Sequence, residues 1–505
     1  MNKKSICNEI KQETTEKKNR ANKLAFMKKN GFNFPNSFKR SHTADLIHRK
    51  YKTYTRDMLK TNIVKVNIAG RVMQKRIMGK SSFITLKDVN TLIQIYYKKK
   101  CIESNIYLTS NDILDIGDIL GIEGYLFRTK TKELSVYCEN IILLTKSVNS
   151  FPDKFHGLSN KELCYRKRHL DLITNKKTFF RFQQRSYIVS KIRSFMEKNH
   201  FLEVETPIMQ NVPGGANARP FITYHNSLDI DIYLRIAPEL YLKRLIIGGF
   251  DKIFEINKSF RNEGVSVRHN PEFTMMEAYM AYHNYKDAMK FIENLFLYLC
   301  TVITGTYAIE FNKHVLNFKN KFKVISMKES ILLFNSNIRF SDLNNYKKLK
   351  NISLSLGIKK NKQWGIGKLL NEIFEKTVEK KLIEPTFIVD YPTEVSPLAK
   401  NKRNTIEYTE RFELFIGGYE IANGFSELND SEEQKNRFLQ QKKYYKNTKQ
   451  KKFFYDSSYI NALEYGLPPT AGLGIGIDRL VMLFTNQKNI RDVILFPVLR
   501  PKNFK

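Results

Sequence analysis

The chain has 505 residues, 42% hydrophobic and 27% charged, which excludes a disordered or fibrous protein and leaves room for about two or three domains. The net charge of +35 invites a polyanion partner, but lysine far outnumbers arginine amid abundant Asn, Ile, Phe and Tyr, the mark of A/T-rich codons, so charge alone identifies none. Cys7, Cys101, Cys138, Cys164 and Cys300 are scattered, against a disulfide framework or a zinc site, and no apolar run nears the ~18 residues of a membrane span, so a cytoplasmic protein is expected. From the N-terminus, residues 1–60 predict a basic helical extension without the apolar segment of a secretory signal, turning irregular around "FPNSFKRSHTADL". Over 61–147, "VKVNIAGRVM", "SSFITLKD", "LIQIYYK", "DILGIEGYLF" and "ELSVYCENIILL" read as five strands of a small closed β domain. A linker over 148–178 contains Pro152, and 179–505 reads as a mixed α/β region opened by a long helix. Within it, "GIGKLLNEIFEKTVEKKL" has helical spacing and a structural role, and no internal repeat is present.

Four stretches of this last region carry chemistry. "FLEVETPIM" (201–209) is a strand with a proline, as at a sheet edge or a subunit interface. "FRNEGVSVRHNPEFTMMEAY" (260–279) reads as a long-looped antiparallel hairpin. Period two puts Arg261 with Glu263 on one strand and Phe273, Met275, Glu277 and Tyr279 on one face of the other. Gly264 and Pro271 bracket a loop with Arg268 and His269. Such a hairpin is either a core hairpin with polar decoration or a nucleotide seat, guanidinium for phosphate and ring for purine. In "RFELFIGGYEIANGFSEL" (411–428), Gly417-Gly418 suits a two-residue turn. Pairing across it places Glu413 and Glu420 diagonally on one face, either solvated or holding a cation such as Mg²⁺. Strict alternation sends Asn423 and Glu427 the other way, which a bulge at Asn423-Gly424 would reconcile. "AGLGIGIDRLVMLF" (471–484) predicts a glycine-rich approach to a helix with Arg479 in its first turn.

In this order the stretches resemble the three signature motifs of class II aminoacyl-tRNA synthetases. "FLEVETPIM" is similar to motif 1, "FRNEG…RHNPEFTMMEAY" to motif 2 and "GLGIGIDRL" to motif 3. "GGANARPFITYHNSLDIDIYLRIAPELYLKRLIIGGFDKIFEI", "GGYEIANGFSELND" and "ALEYGLPPTAGLGIGIDR" extend the likeness to bacterial-type lysyl-tRNA synthetases, over nearly the whole chain from about residue 20. The resemblance implies an α+β multidomain protein: an N-terminal OB-fold barrel, then a catalytic domain built on an antiparallel sheet flanked by helices. It implies lysine activation by ATP, transfer to tRNA-Lys, Mg²⁺ as cofactor and a homodimer without membrane attachment.

By the same resemblance Arg261 holds the α-phosphate and Phe273 stacks under adenine, with Arg479 opposite. Glu263 and His269 touch the adenine edge and the phosphate tail, and Glu413 and Glu420 hold Mg²⁺. Gly215 and Glu239 receive the α-amino group of lysine, and Glu277, Tyr279 and Glu427 line its side-chain pocket, with Asn423 and Phe425 nearby. In the barrel, Phe83 stacks a base of a UUU anticodon while Arg76, Gln94 and Glu133 read base edges. The sequence departs from the pattern at Asn217, where alanine is more usual, in the serines of "DSSYINALEYG", and in "DVNTLIQ", which lacks a glycine.

Three alternatives are weighed. An aspartyl or asparaginyl enzyme needs a cationic pocket, whereas Glu277 and Glu427 are acidic; a protein-lysylating paralogue lacks a barrel; a non-catalytic RNA-binding descendant has lost some of Arg261, Glu413, Glu420 and Arg479, all present here.

Overall fold

The computed structural model describes residues 3–79, 81–98, 113–151, 158, 160–358, 363–446 and 455–501, in two compact units, Met1–Phe179 and Phe180–Lys505. Cys101 and Pro152 lie outside the described residues, as does the side chain of Cys7; Cys138, Cys164 and Cys300 are free thiols.

In the first unit, strands β1 (Lys65–Met78), β2 (Ser81–Asp88), β3 (Thr91–Lys98), β4 (Ile119–Arg128) and β5 (Leu134–Thr145) close into a barrel in the order β1-β2-β3-β5-β4. Alternation turns Ile84, Leu86, Ile95, Ile122 and Val136 inward. At Gly124 a Cβ would stand 2.0 Å from the Tyr137 carbonyl oxygen, so only glycine permits that approach of β4 to β5. Met27, Phe32 and Tyr51 of the segment preceding β1 share the barrel's core, to which the helices Ala44–Lys50 and Arg56–Thr61 bring Ala44, Ile47 and Leu59. Each helix is N-capped by a threonine, Thr43 or Thr55. That cap makes "ADL" helical where irregular chain was expected. Two short helices, Lys161–Arg166 and Arg168–Thr174, occupy the expected linker, and Lys87 Nζ donates to the Ile173 carbonyl at 2.6 Å.

In the second unit the strands are β6 (Leu202–Glu203), β7 (Met209–Gln210), β8 (Phe221–His225), β9 (Ile230–Leu234), β10 (Lys252–Phe260), β11 (Glu272–Ala281), β12 (Ala308–Phe311), β13 (His314–Asn317), β14 (Lys323–Ser326), β15 (Thr386–Val389), β16 (Arg411–Ile416), β17 (Tyr419–Ser426) and β18 (Thr470–Gly476). Eight of them form one sheet in the order β14-β15-β16-β17-β18-β11-β10-β6, and β7-β9-β8 form a smaller one. The sheet is mixed rather than purely antiparallel, because its outermost pairs, β14 with β15 and β10 with β6, run parallel.

The two faces of the large sheet differ in chemistry. Met276, Ala278 and Met280 of β11 and Ala471, Leu473 and Ile475 of β18 point into a core shared with the helices Tyr285–Thr304 and Ile477–Phe484. The alternate residues of the same strands point into a cavity. Period-two patterning thus separates what holds the sheet from what it presents.

Candidate active site

The cavity is about 430 Å³ and is lined by β11, β17, β18, the loop after β10 and the start of the helix Glu239–Ile247. Phe273, Met275, Glu277 and Tyr279 enter it from one face of β11, as period two requires. Arg261 and Glu263 do not lie on β10, which ends at Phe260; they begin the loop, where the Arg261 backbone N–H still donates to the Pro271 carbonyl at 2.8 Å.

Arg261 lays its guanidinium 5.0 Å from the centroid of the Phe273 ring, and its buried Nε has no hydrogen-bond partner. An orphan guanidinium N–H at the wall of a cavity suits an anionic oxygen. His269 Nδ1 shares a hydrogen bond with Ser266 Oγ at 3.0 Å, and its Nε2 lies 3.3 Å from Arg479 Nη2. Burial and then Arg479 hold its pKa below the usual imidazole value, so the ring is a neutral acceptor. Arg479 is in the first turn of Ile477–Phe484 and donates from Nη1 to the Glu420 carbonyl at 2.7 Å and to Glu420 Oε2 at 3.2 Å. Asp478 beside it accepts the Thr274 backbone N–H at 2.8 Å, which ties this helix to β11.

The Gly417-Gly418 turn has φ of +62° and +76°, the two left-handed residues a two-residue hairpin needs. Beyond it Phe415 faces Glu420 and Leu414 faces Ala422, which leaves Ile421 as the extra residue of a β-bulge. The bulge lies at Ile421 rather than at Asn423-Gly424. Its effect is the one needed: Ile421 and Ala422 both enter the core, while Glu420, Asn423 and Phe425 line the cavity. Glu413, opposite Asn423, accepts from Tyr391 Oη at 2.8 Å and from Arg411 Nη2 at 2.5 Å. Burial raises its pKa to about 7, Arg411 opposing and Glu420 adding to the rise. The two carboxylates therefore have guanidinium partners rather than being uncompensated.

Among the described residues no three His, Cys, Asp or Glu side chains gather as a metal cluster. Glu420, which adds to the raised proton affinity of Glu413, makes with it a pair that nevertheless fits Mg²⁺, which takes one or two carboxylates and fills its remaining positions with water and phosphate.

At the other end of the cavity three buried carboxylates converge. Glu239 opens its helix beside Gly215, whose φ of +81° and closeness to the Glu239 Cβ, 3.0 Å from an added Cβ, leave no room for a side chain. Glu277 accepts from Tyr279 Oη at 3.2 Å. Burial, then Glu239, raises its pKa to about 8. Glu427 is 1% exposed, and its Oε1 has no hydrogen-bond partner. That oxygen would lie 2.0 Å from a Cβ at Gly472, so this glycine of the "AGLGIG" run makes space for a glutamate rather than for a ligand. Asn217 lines the same cavity.

Sequence reasoning missed Lys243. It is fully buried, its Nζ 2.6 Å from Glu239 Oε1, paired also with Glu427 and 5.4 Å from the centroid of Phe425. Burial disfavours its charge, but Glu239 and Glu427 outweigh burial and lift its pKa above the ordinary lysine value. The available signal was the i,i+4 spacing of Glu239 and Lys243.

In the barrel unit Phe83 lies on the outer face of β2, between inward-facing Ser82 and Ile84. It pairs with Arg76 on one side and with Tyr96 on the other, the two rings 5.2 Å apart. Gln94 Oε1 accepts from Ser135 Oγ at 3.1 Å, and exposed Glu133 directly precedes β5.

Comparison with known proteins agrees with this layout. A protein-family model described as "tRNA synthetases class II (D, K and N)" matches residues 160–500, and one described as "OB-fold nucleic acid binding domain" matches 66–144. The chain is 60% identical over 485 residues to a lysine–tRNA ligase of Buchnera aphidicola subsp. Schizaphis graminum, covering 96% of each chain. It is 54% identical over 484 residues to the Wigglesworthia glossinidia brevipalpis lysine–tRNA ligase, covering 96% of this chain and 98% of the relative. It is 51% identical over 496 residues to the heat-inducible lysine–tRNA ligase of Escherichia coli K12, covering 98% of each. The chain belongs to the class II aminoacyl-tRNA synthetases, in the lysine–tRNA ligase family.

Proposed function

We propose that the chain activates L-lysine with ATP, giving lysyl-adenylate and pyrophosphate, and then transfers the lysyl group to the 3′ end of tRNA-Lys. The observation that carries this reading is the cavity that joins Arg261, Phe273 and Arg479 at one end to buried Glu239, Glu277 and Glu427 at the other. Arginines neutralise phosphate and the carboxylates take the two ammonium groups of the amino acid. The acidic end disfavours aspartate and asparagine as substrates.

The lysine carboxylate is already a nucleophile, so its in-line attack on the α-phosphate needs no protein base and no covalent intermediate. Arg261 holds the α-phosphate, and Phe273 with Arg479 sandwiches the adenine, a position Arg261 shares until ATP enters. Glu263 and His269 meet the adenine edge and the phosphate tail. Gly215 with Glu239 receives the α-ammonium, and Glu277, Tyr279, Asn423, Phe425 and Glu427 enclose the side chain. Glu413 and Glu420 would hold Mg²⁺, which supplies charge neutralisation on the triphosphate when bound. Phe83, Arg76, Gln94 and Glu133 read the anticodon of the tRNA.

Exposed apolar residues support a homodimer. Leu202 on edge strand β6, Met209 on β7, and Ile222, Tyr224 and Ile230 around β8 and β9 are all exposed. No described helix is long and apolar enough to cross a membrane, and the place of the reaction is the cytoplasm.

ATP–pyrophosphate exchange, with Mg²⁺ and without tRNA, tests the reading across the twenty amino acids. Lysine should exchange fastest. Fastest exchange with aspartate or asparagine, or none with any amino acid, overturns it.

A further inference from the structure

We propose that Lys243 is a resident counter-ion that holds Glu239 and Glu427 together and aimed at the cavity, and so sets at two the number of ammonium groups the pocket accepts. The proposal rests on the lysine-activating reading and explains how that substrate is chosen by charge.

Lys243 holds both carboxylates at once, one from its own helix and one from the residue after β17. Phe425 and Tyr459 enclose its ammonium at 5.4 and 6.0 Å from their ring centroids, so water does not share the charge. An apolar-walled ammonium fully buried is stable only between opposite charges. Glu427 Oε1, buried beside the Tyr279 ring, is an acceptor without a hydrogen-bond partner in a residue that lines the cavity.

With lysine bound and all three carboxyls ionised, Glu239, Glu277 and Glu427 carry three negative charges and Lys243 one positive, which leaves two negative charges for the ligand to match. The other charges that face Glu277 do not change this count. Glu255 on β10 is matched by Arg235 at 2.6 Å, and Arg261 is turned toward Phe273 at the nucleotide end. A diamino acid brings two ammonium groups and balances the pocket. An amino acid with a neutral side chain brings one and leaves a buried carboxylate unpaired. Burial raises the proton affinity of Glu427 and Lys243 opposes that rise, so without Lys243 the Glu427 carboxyl holds its proton more firmly and accepts an ammonium less readily. Lys243 is a positioning residue in this scheme, since it touches the glutamates and not the reacting atoms.

Exchange kinetics of the full-length protein test the proposal. Lys243→Met keeps the length of the side chain and removes its charge. The KM for lysine should rise about 100-fold, as loss of one partner of a buried pair predicts, while the KM for ATP stays within about twofold. The lysine KM of the variant should fall more steeply with rising pH than that of the wild type, because the stranded carboxylate must lose its proton first. In Lys243→Ala, n-propylammonium should recover at least about tenfold of the loss in lysine KM, and 1-propanol should not. An unchanged lysine KM overturns the proposal, and so does equal rescue by the alcohol, which marks a packing role. Failure of both variants to fold, unrelieved by n-propylammonium, makes Lys243 a core residue and also overturns it. The functional reading is judged separately: a wild type that prefers aspartate or asparagine sinks both, whereas lysine preference with an indifferent Lys243→Met sinks the counter-ion alone.

Discussion

Glu277 brings a charge into a buried cavity, and two predictions follow from its surroundings. Burial and Glu239 raise its pKa from 4.5 to about 8, while Tyr279 and Arg261 oppose the rise. A carboxyl whose folded pKa is raised binds more protons folded than unfolded, so it costs stability as pH climbs from about 4.5 to about 8. Lysine reverses the cost, because its ammonium favours the ionised form. Lysine binding at pH 7 should therefore release about one proton, seen by calorimetry in buffers of different ionisation enthalpy. Affinity for lysine should strengthen toward pH 8 and then level off. Glu277→Gln should abolish that proton release; equal release in the variant would assign the proton to another group. The same substitution keeps the shape and leaves the ammonium poorly matched. Breaking a buried pair costs ~3–5 kcal/mol, a fall in kcat/KM for lysine of about two to three and a half decades. Binding of ATP should change little, since Arg261, Phe273 and Arg479 are untouched. Near-normal lysine kcat/KM with lost ATP binding would show that Glu277 serves the nucleotide instead.

Among the elements, β18 shows how a strand divides its work. Its apolar residues hold the core while Gly472, Gly474 and Gly476 line the cavity, and Gly472 leaves room for Glu427. A methyl at Gly472 would meet Glu427 Oε1 at 2.0 Å and Tyr279 at 2.8 Å. Gly472→Ala should thus raise the lysine KM by at least about tenfold, the cost of displacing one charged partner, and leave the ATP KM unchanged. Exchange kinetics with lysine and ATP varied in turn check this, and an equal rise in both would mean that β18 itself has shifted. The β11 face was legible in the sequence because alternation needs no knowledge of the partner strand. The bulge at Ile421 was not, since a register shift is settled between β16 and β17 and leaves no local mark. Lys243 was hidden for a related reason. A Glu239–Lys243 spacing reads as an exposed helical pair, and only the fold brings Glu427 to the other side of the ammonium and buries all three. Arg261 and Glu263 were placed on the strand rather than in the loop after it because nothing in "SFRNEG" marks where pairing stops.

At the scale of the whole molecule the candidate residues fall into two separate units, the proposed anticodon readers in Met1–Phe179 and the cavity in Phe180–Lys505. The exposed apolar residues on β6 to β9 should be covered by a second copy, so light scattering at micromolar concentration should report twice the mass of one chain. An active monomer would leave that surface unexplained. A separation of function is expected at Phe83. The barrel's core is filled by its inward-facing neighbours, while the Phe83 ring stands on the outer face against Tyr96, half-buried and able to take a base. Loss of one stacked base is worth ~1–3 kcal/mol, so Phe83→Ala should lower kcat/KM for tRNA charging by about five- to 150-fold. Lysine-dependent exchange needs no tRNA and should stay within about twofold of the wild type, inside the scatter of a substitution that shares no partner with the cavity residues. Measuring both reactions on one preparation decides between recognition and packing, because a destabilised barrel also lowers the thermal midpoint. Equal losses in exchange and charging would place Phe83 among the residues that hold the fold rather than those that read the tRNA.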